Sequence, residues 1–343
     1  MGSVKELVME NAPTNLILGR GKFVFSNDYS VFDWGKMPGQ LPLKGRVLCM
    51  LGAFNFELME RERIQTHYLG LEEDGSIKRF REVSEPSNEM NIMVVKKPGL
   101  EFSKGKYRYD LFKKKAGQNF LVPLEVIFRN FIPPRSSVRK RFKPKDLGLK
   151  TTKWPKENIE LKKPMIDFST KLEAKDRYLS EKEAMEISNL SGEKFEELKK
   201  IAMTVNKIIT KQAKANKMVH EDGKIELFCF KDELFVADVA GTFDENRFSF
   251  KGMEISKEVI RQHYKKTQPK WVEAIDKAKK KAEEKNKSDW KQFVKTKPEP
   301  LSSELAELVS EMYCAGANTY MGKNIFEARD LEKVLKDIGA WKK

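Results

Sequence analysis

Short apolar runs separated by glycine, proline and aspartate or asparagine occupy the chain up to about residue 120. The runs KFVFS, RVLCML and MNIMVV are rich in β-branched or aromatic residues, a composition typical of strands. Between them, GAFNFELMERERIQTHYL places apolar residues three to four positions apart, which is the spacing of one helix face. This part of the chain is therefore predicted to be β-rich, with one helix.

Helical patterns become more frequent after residue 120. Residues 181–217 predict two helices, and the runs KIELFCF and LFVADVAG predict two strands joined by the turn KDE. The segment LSSELAELVSEMYCAGANTYMG predicts a packed amphipathic helix. Residues 270–297 are rich in Lys and Glu, which favours a solvent-exposed helix or a mobile insertion over a contact with nucleic acid.

Charged residues interrupt one of the predicted strands, in the stretch LVPLEVIFRNFIPPRSS. Because side chains alternate along a strand, Glu125, Ile127 and Arg129 share one face, and Val126 and Phe128 share the other. Burying an unpaired charge costs several kcal/mol. The charged face therefore holds either a structural ion pair or a ligand-binding cleft, and this strand alone leaves both alternatives open.

The predicted hairpin carries a second set of charges inside apolar strands. Asp222, Lys224 and Glu226 share one face, and a turn from Lys231 to Glu233 would place Glu226 directly opposite Asp238. Facing carboxylates repel, so one of them is protonated or a cation lies between them. Mg²⁺ takes carboxylate and phosphate oxygens together, and a nearby lysine could contact the same phosphates. The pattern favours nucleotide phosphoryl transfer, although a solvent-facing hairpin would carry similar charges.

Composition narrows the class of protein. The chain has 343 residues, enough for one large two-lobed domain or two domains that share a cleft, and its net charge of +15 favours an anionic partner such as a phosphorylated metabolite, nucleic acid or a membrane surface. The three cysteines form no CxxC pattern, which argues against a zinc site and is consistent with a cytoplasmic protein. No apolar run approaches the ~18 residues of a membrane span, so we expect no membrane partner.

The two charged strands resemble, in the same order, the signature segments of the SAICAR synthetase (phosphoribosylaminoimidazole-succinocarboxamide synthase) family. LVPLEVIFR is similar to the family's apolar-P-x-E-x-x-x-R strand, and EDGKIEL is similar to its D-x-K-x-E-F strand. The segments GSVKEL, FVFSNDYSVFDW, LPLKGRVL, FSTKLEAKDRYLS and DVAGTFDENRF, and the closing helix, extend the resemblance in collinear order over most of the chain.

The resemblance implies an α+β fold of two lobes, distantly similar to protein kinases. Residues 1–120 would form a β-rich, ATP-binding lobe, and residues 121–343 would form a larger lobe with the substrate and metal sites, including the insertion 270–297. The family joins L-aspartate to the carboxylate of CAIR, a carboxylated aminoimidazole ribonucleotide, with cleavage of ATP to ADP and phosphate in purine biosynthesis. A carboxylate lacks a leaving group, and its phosphorylation supplies one.

The resemblance also implies the cofactors ATP and Mg²⁺ and a set of site residues, carried over by position. The metal would be held by Glu226 and Asp238. Asp222 and Lys224 would lie along the phosphoryl path as catalytic residues. ATP would contact Gly2, Lys5, Gln118, Leu121, Glu125 and Lys224, with residues 118–121 connecting the lobes beside the adenine. The substrates would contact Asp33, Arg129, Ser136, Ser137, Lys171, Glu173, Asp176 and Arg247.

The chain also departs from the family pattern at two loops. Gly2-Ser3 replaces Gly-Lys in the phosphate loop, and PPRSS replaces a glycine-containing substrate loop. The other ATP and metal positions match the family better than the substrate loop does, so the identity of the acceptor substrate is less certain than ATP binding. One alternative is therefore a diverged paralogue that acts on another phosphorylated carboxylate. A second is a basic nucleic-acid-binding protein on the same fold, although the Lys-rich segment lacks the interleaved aromatic and arginine residues that stack on bases. The oligomeric state stays open, with a homo-oligomer as one expectation.

Overall fold

The computed structural model describes residues 4–103, 105–134, 136–285, 287 and 289–341. Within that part, fourteen strands and nine α-helices are distributed along the sequence, and α6 to α9 follow the last strand. The strands are β1 (Lys5–Asn11), β2 (Gly19–Phe25), β3 (Tyr68–Glu73), β4 (Ser76–Lys78), β5 (Glu89–Val94), β6 (Phe102–Ser103), β7 (Lys106–Tyr107), β8 (Asn119–Ile132), β9 (Ile159–Thr170), β10 (Tyr178–Leu179), β11 (Met218–Phe230), β12 (Glu233–Ala237), β13 (Asn246–Phe250) and β14 (Met253–Ile255). The helices are α1 (Lys44–Arg61), α2 (Tyr109–Ala116), α3 (Val138–Arg141), α4 (Glu181–Ser188), α5 (Gly192–Ala215), α6 (Glu258–Thr267), α7 (Pro269–Glu284), α8 (Ser303–Met321) and α9 (Leu331–Trp341).

The strands form two main antiparallel sheets, which gives the α+β architecture that the sequence predicts. The first sheet has the order β1-β2-β5-β3-β4, and the second has the order β10-β9-β8-β11-β13-β14 with β12 paired to β11. The second sheet begins at Asn119, close to the division at residue 120. Contacts also cross that division, because the Tyr320 hydroxyl of α8 donates a hydrogen bond of 2.7 Å to Asn55 of α1. We retain 1–120 and 121–343 as a proposed division into lobes.

The two long central strands, β8 and β11, have one apolar and one charged face, as their alternation predicts. Val122, Leu124, Val126 and Phe128 are fully buried. Helix α5 packs on the second sheet with an apolar stripe that includes Phe195, Leu198, Ala202 and Val205. The opposite face of β8 carries Glu125, Ile127 and Arg129, all of which line one cavity. Glu125 and Arg129 therefore lie in a cleft.

Gly223 interrupts the core-facing side of β11 at a point where the packing is especially tight. A Cβ atom at this position would lie 1.9 Å from Asn246 Oδ1 and 2.6 Å from the Phe128 ring. Asn246 Oδ1 in turn lies 3.0 Å from His220 Nε2. The absence of a side chain at residue 223 thus allows β13 and β8 to approach β11 closely.

The register predicted for the hairpin is wrong by one residue. The turn consists of Lys231 and Asp232, with φ of 49° and 64°, and Phe230 pairs with Glu233. Two positive φ angles give a two-residue turn whose twist matches that of the flanking strands. As a result Glu226 lies opposite Ala237, and its partner on the other side is Glu125 of β8. Asp238 follows the end of β12 with φ of 60°.

Two further predictions of local structure need correction. The run RVLCML is part of α1 and not a strand; its residues Val47, Leu48, Cys49, Met50 and Leu51 are all buried, so the run shows no alternation that could distinguish helix from strand. The exposed helix predicted within residues 270–297 is exposed on one face only: residues 270–284 belong to α7, whose other face buries Trp271 and Ile275 against the rest of the molecule. The two helices at 181–217 and the closing helix are confirmed as α4, α5 and α8.

Among the described residues, none of the helices combines the length and the apolar composition that a membrane span requires.

Acidification should destabilise the fold through His220, which is 2% exposed. Burial lowers the pKa of His220 from 6.5 to about 4, so between these pH values the unfolded chain binds a proton that the folded chain does not. The free energy of unfolding should therefore fall as the pH drops through this window, by up to about 3 kcal/mol for this residue. Urea denaturation across pH 4 to 7 should give His220→Gln a shallower pH dependence than the wild type.

The control for this measurement is His263→Gln, since His263 is only partly buried. Its pH dependence should follow the wild type more closely than that of His220→Gln. Identical slopes for the wild type and His220→Gln would contradict the assignment. Some acid sensitivity should persist in His220→Gln, because burial also lowers the pKa of His67 to about 4.

Candidate active site

Three cavities adjoin along the charged face of β8 and β11. The inter-sheet cavity has a volume of about 570 Å³ and lies between the two sheets. The central cavity, of about 260 Å³, lies on the charged face itself, and the outer cavity, of about 720 Å³, extends it towards Pro133 and Pro134. Asp33 and Arg261 line all three cavities. The three therefore meet at one point.

The inter-sheet cavity has an apolar end and a charged end. The apolar walls include Leu7, Met93, Val95 and Leu121, and Phe23 joins them to the charged end, since its ring centre lies 5.1 Å from Lys5 Nζ. The charged end carries Lys5, Lys171, Lys224, Glu226 and Asp238. An apolar slot with convergent charged groups at one end is the usual form of a site for a ligand with a flat ring and an anionic tail.

Ion pairs across β8, β9 and β11 neutralise the charges between the inter-sheet and central cavities. Glu125 and Glu226 are direct cross-strand neighbours, an arrangement that is unfavourable for like charges. Lys224 Nζ lies 2.5 Å from Glu125 Oε1 and 3.1 Å from Glu245 Oε2. Lys171 pairs with Glu226 and lies 3.6 Å from Glu125. The two lysines thus compensate the facing carboxylates.

The candidate metal ligands Glu226 and Asp238 have different electrostatic environments. Burial raises the pKa of Glu226 to about 7, although Lys171 opposes this change. Burial acts in the same direction on Asp238, but Lys5 and Lys171 hold the pKa of that carboxyl below its usual value. Lys5 Nζ lies 2.6 Å from Asp238 Oδ1. Glu226 is therefore the carboxylate that would gain most from an additional cation.

The chemistry of this carboxylate pair fits Mg²⁺. The described residues contain no group of three or more His, Cys, Asp or Glu arranged to hold a metal ion. A Mg²⁺ ion does not need such a group when it is bound together with a nucleotide, because one or two carboxylates, phosphate oxygens and water complete its shell. Both Glu226 and Asp238 line the cavity, so both can contribute oxygens there.

Arg129 forms the floor of the central cavity and is only 4% exposed. Its guanidinium lies 3.3 Å from Asp222 and 3.2 Å from Asp167. Arg247 lies 3.1 Å from Asp222 on the more open side, with about a third of its side chain exposed. The sequence predicts that Arg129 contacts substrate directly. In this geometry its guanidinium donates to Asp222, to Asp167 and, at 3.4 Å, to the Tyr178 hydroxyl, and Arg247 is the more accessible cation.

Helix α6 contributes two cations that the sequence motifs do not indicate. Lys257, at the N-terminal boundary of α6, and Arg261, one turn later, line both the inter-sheet and central cavities. Burial lowers the pKa of Lys257, although the nearby Glu245 and Asp244 oppose this change. The only sequence signal for this pair is the four-residue spacing, which places both side chains on one face of a helix.

Comparison with known proteins identifies the family. A family model described as SAICAR synthetase matches residues 14–278. A protein of Archaeoglobus fulgidus, provisionally named a phosphoribosylaminoimidazole-succinocarboxamide synthase, is 44% identical over 345 aligned residues that cover 98% of each chain. The chain belongs to the SAICAR synthetase family.

Solved structures of SAICAR synthetases have the same fold. A SAICAR synthase from Saccharomyces cerevisiae in complex with SAICAR has a TM-score of 0.63 at 18% identity, and the match covers 94% of each chain. A SAICAR synthetase in complex with ADP has a TM-score of 0.56 at 20% identity, and the match covers 88% of this chain and 99% of the other. The resemblance found in the sequence motifs and the predicted fold class are thereby confirmed.

Most of the residues predicted from the SAICAR synthetase motifs lie in the three cavities. The inter-sheet cavity contains Lys5, Leu121, Lys171, Lys224, Glu226 and Asp238. The central cavity contains Asp33, Glu125, Arg129, Asp176, Asp222, Lys224 and Arg247. Ser137 lines the outer cavity. The motifs thus bring together residues that are spread in sequence from Lys5 to Arg247.

Three predicted residues line none of the three cavities. The Gln118 carbonyl accepts a hydrogen bond of 2.9 Å from the backbone N–H of Lys231, and Gln118 does not line the inter-sheet cavity. Ser136 is buried, and its hydroxyl accepts a hydrogen bond from the N–H of Val138. Glu173 accepts a hydrogen bond of 2.9 Å from Tyr109, pairs with Arg177, and lines a neighbouring cavity of about 580 Å³ that Asp176 and Lys279 also line. Gly2 lies outside the described residues.

The connection beside the apolar slot differs from the predicted one. Val95 and Lys97, which directly follow β5, line the inter-sheet cavity, and the Lys96 carbonyl accepts a hydrogen bond of 2.9 Å from Leu121. Of the predicted segment 118–121, only Leu121 lines this cavity. The strands β6 and β7 and helix α2 lie between the two points in sequence. Because this segment separates Lys96 from Leu121 in sequence, their contact could not be predicted from the sequence.

Replacing Arg129 with methionine should destabilise the fold. The change removes the cation between Asp167 and Asp222, each of which is almost completely buried. Arg141 still pairs with Asp167 and Arg247 with Asp222, so the two carboxylates lose only part of their compensation. We therefore expect a loss of about 2 kcal/mol in the free energy of unfolding, measured by urea denaturation. Asp222→Asn in the same background should recover part of the loss.

The matched control is Lys277→Met, because the side chain of Lys277 is 79% exposed and its ion pair with Glu273 lies on the surface. This change should alter the free energy of unfolding by less than about 0.5 kcal/mol. If Arg129→Met unfolds at the same urea concentration as Lys277→Met, the Arg129 cluster does not support the fold.

Proposed function

We propose that the inter-sheet cavity binds ATP with Mg²⁺ and that the central and outer cavities bind CAIR, so that the reacting groups meet beside Lys224. The overall reaction is that of the family: ATP-dependent joining of L-aspartate to the carboxylate of CAIR, with ADP and phosphate released. The observation that carries the proposal is the shared lining of two cavities. Lys224, Asp244, Glu245 and Lys257 line both the inter-sheet and central cavities.

The nucleotide would lie with its base in the apolar slot formed by Phe23, Met93 and Leu121. Its phosphates would then reach Lys5, Lys171 and Lys224 at the charged end. Glu226 and Asp238 would hold Mg²⁺, which when bound neutralises phosphate charge and orients the phosphates. These assignments rest on the lining of the inter-sheet cavity and on the match of the chain to the family motifs.

Lys224 is the residue best placed to assist phosphoryl transfer. Its Nζ lies between Glu125 and Glu245, at the boundary of the two cavities. Nearby carboxylates, chiefly Glu245 and Glu125, raise its pKa against the effect of burial, so the side chain stays a cation. A fixed cation at this boundary would stabilise the charge that develops as the phosphoryl group passes to the CAIR carboxylate. Lys257 and Arg261 would add charge from the side of α6.

The second step is attack by the amine of L-aspartate on the phosphorylated carboxylate. The amine has to lose a proton, and Asp176 is a candidate acceptor because it lines the central cavity. Burial raises the pKa of Asp176 to about 6, with a further contribution from Glu125. A carboxylate with a pKa nearer to neutrality is a better base than an ordinary aspartate. Phosphate leaves from the acyl carbon, and the C–N bond of the amide forms.

The primary test is turnover. The protein incubated with CAIR, L-aspartate, ATP and Mg²⁺ should form SAICAR, ADP and phosphate, measured by chromatography of the amide product. Lys224→Met should lower kcat by at least about 100-fold, because it removes a preorganised cation next to the transferred group.

The control for Lys224→Met is Lys231→Met, which changes an exposed lysine at the turn of the same hairpin. This variant should keep wild-type kcat. A Lys224→Met enzyme with unchanged kcat would exclude the proposed role of Lys224. Absence of product with the wild type, under conditions in which a known SAICAR synthetase is active, would exclude the proposed function.

The metal assignment has its own test. Asp238→Asn should raise the Mg²⁺ concentration needed for half-maximal activity severalfold, because one anionic ligand becomes neutral. Glu226→Gln should have the same effect, whereas Asp232→Asn at the exposed turn should leave the Mg²⁺ dependence unchanged. Titration of the rate with Mg²⁺ at saturating ATP measures all three. A Mg²⁺ dependence unaffected by both cavity variants would place the metal elsewhere.

A further inference from the structure

Helix α7 packs against the loop that carries Asp33. The helix buries Trp271, Ile275, Ala278 and Ala282, each no more than 4% exposed. The match to the SAICAR synthetase family model ends at residue 278, so the last turns of α7 lie outside the matched part of the chain. The residue that follows is Lys279, which lines the outer cavity.

Lys279 differs from its neighbours on the surface of α7. Its side chain is 17% exposed, whereas that of Lys277 on the same helix is 79% exposed. Lys279 Nζ lies 2.5 Å from Asp33 Oδ2 and 5.1 Å from the centre of the Trp290 ring. The stem of Lys279 is thus packed, and its charged end is directed at a carboxylate that is itself 68% exposed to the cleft.

The loop around Asp33 has a conformation that needs support from its surroundings. Phe32 and Asp33 have φ of 57° and 61°, in the left-handed region, which costs roughly 1 kcal/mol or more for each residue other than glycine. The flanking aromatic residues pack on α7 and on the segment after it: Trp34 lies 5.4 Å from Trp271 and 6.1 Å from Trp290, between ring centres. Phe32 lies 5.8 Å from Trp271. The backbone of the loop therefore depends on α7.

Asp33 lies where the inter-sheet, central and outer cavities meet, so its position affects the substrate cleft as a whole. An exposed carboxylate on a strained loop can take several orientations unless a partner fixes it. The aromatic contacts hold the backbone, and Lys279 holds the carboxylate itself.

We propose that Lys279 is a positioning residue for the ligase reaction, and that it acts by holding the Asp33 carboxylate in the orientation that binds CAIR. The proposal rests on the proposed function of the cleft. Helix α7 thereby becomes a part of the substrate site, although its sequence has the Lys/Glu-rich composition of a surface segment. Lys279 would take no part in the chemical step itself, so its loss should affect the affinity for CAIR more than kcat.

The test separates KM from kcat. Lys279→Met should raise the KM for CAIR about tenfold, while kcat and the KM for ATP each change less than about threefold. Lys279→Arg should restore most of the affinity, because a guanidinium can reach the same carboxylate. Lys277→Met is the matched control and should leave all three constants unchanged. Urea denaturation of each variant separates this effect from unfolding.

A double-variant cycle tests the coupling to Asp33. Asp33→Asn should raise the KM for CAIR, and Lys279→Met combined with Asp33→Asn should be no worse than Asp33→Asn alone. Full additivity of the two changes, or a wild-type KM for Lys279→Met, would overturn the proposal. Calorimetric titration of CAIR into the wild type and Lys279→Met gives the same comparison without turnover. A failure of catalysis in the wild type would therefore count against the proposed function, and equal CAIR affinities would count against the role of Lys279.

Discussion

The cost of burying charge controls the organisation of the cleft. Strand β11 places Asp222, Lys224 and Glu226 on one face in the middle of a sheet, where an unpaired charge would be destabilising by several kcal/mol. Each of the three is matched by a charge from another strand: Arg129 and Arg247 for Asp222, Glu125 and Glu245 for Lys224, and Lys171 for Glu226. Because the partners come from β8, β9 and the segment around β13, the pairing of charges and the pairing of strands depend on each other.

This arrangement has consequences for ligands that carry many negative charges. Lys5, Lys171 and Lys224 are already paired with carboxylates, so a phosphate that binds them exchanges one anionic partner for another. Lys5 pairs with Asp238 and Lys171 pairs with Glu226, which are the two carboxylates that would release their lysines on binding a metal. Metal and phosphate would then bind together more favourably than either alone, since each provides the partner that the other displaces.

The sequence predicts the parts of this structure that depend on alternation along one strand. The faces of β8 and β11 follow from the two-residue period, and about half of the predicted cleft residues lie on those two strands. The register of β11 against β12 could not be predicted in the same way. It depends on the positive φ angles of Lys231 and Asp232, and the identity of these two residues does not specify a particular turn. The contributions of Lys257 and Lys279 come from packing between segments distant in sequence. Neither belongs to a motif, and the Lys/Glu pattern of α7 describes its outer surface only.

Gly223 shows how a residue without a side chain can be a strong constraint. In the segment D-G-K-I-E it occupies what looks like a variable position between two charged residues, and its backbone does not have a positive φ. The requirement is for space, since Asn246 and Phe128 occupy the volume of a Cβ atom. Asn246 lies in sequence between Glu245 and Arg247, two residues that line the cleft. An alanine at position 223 would thus disturb the lining of the cleft through Asn246 and Phe128, the two residues that its methyl group would meet.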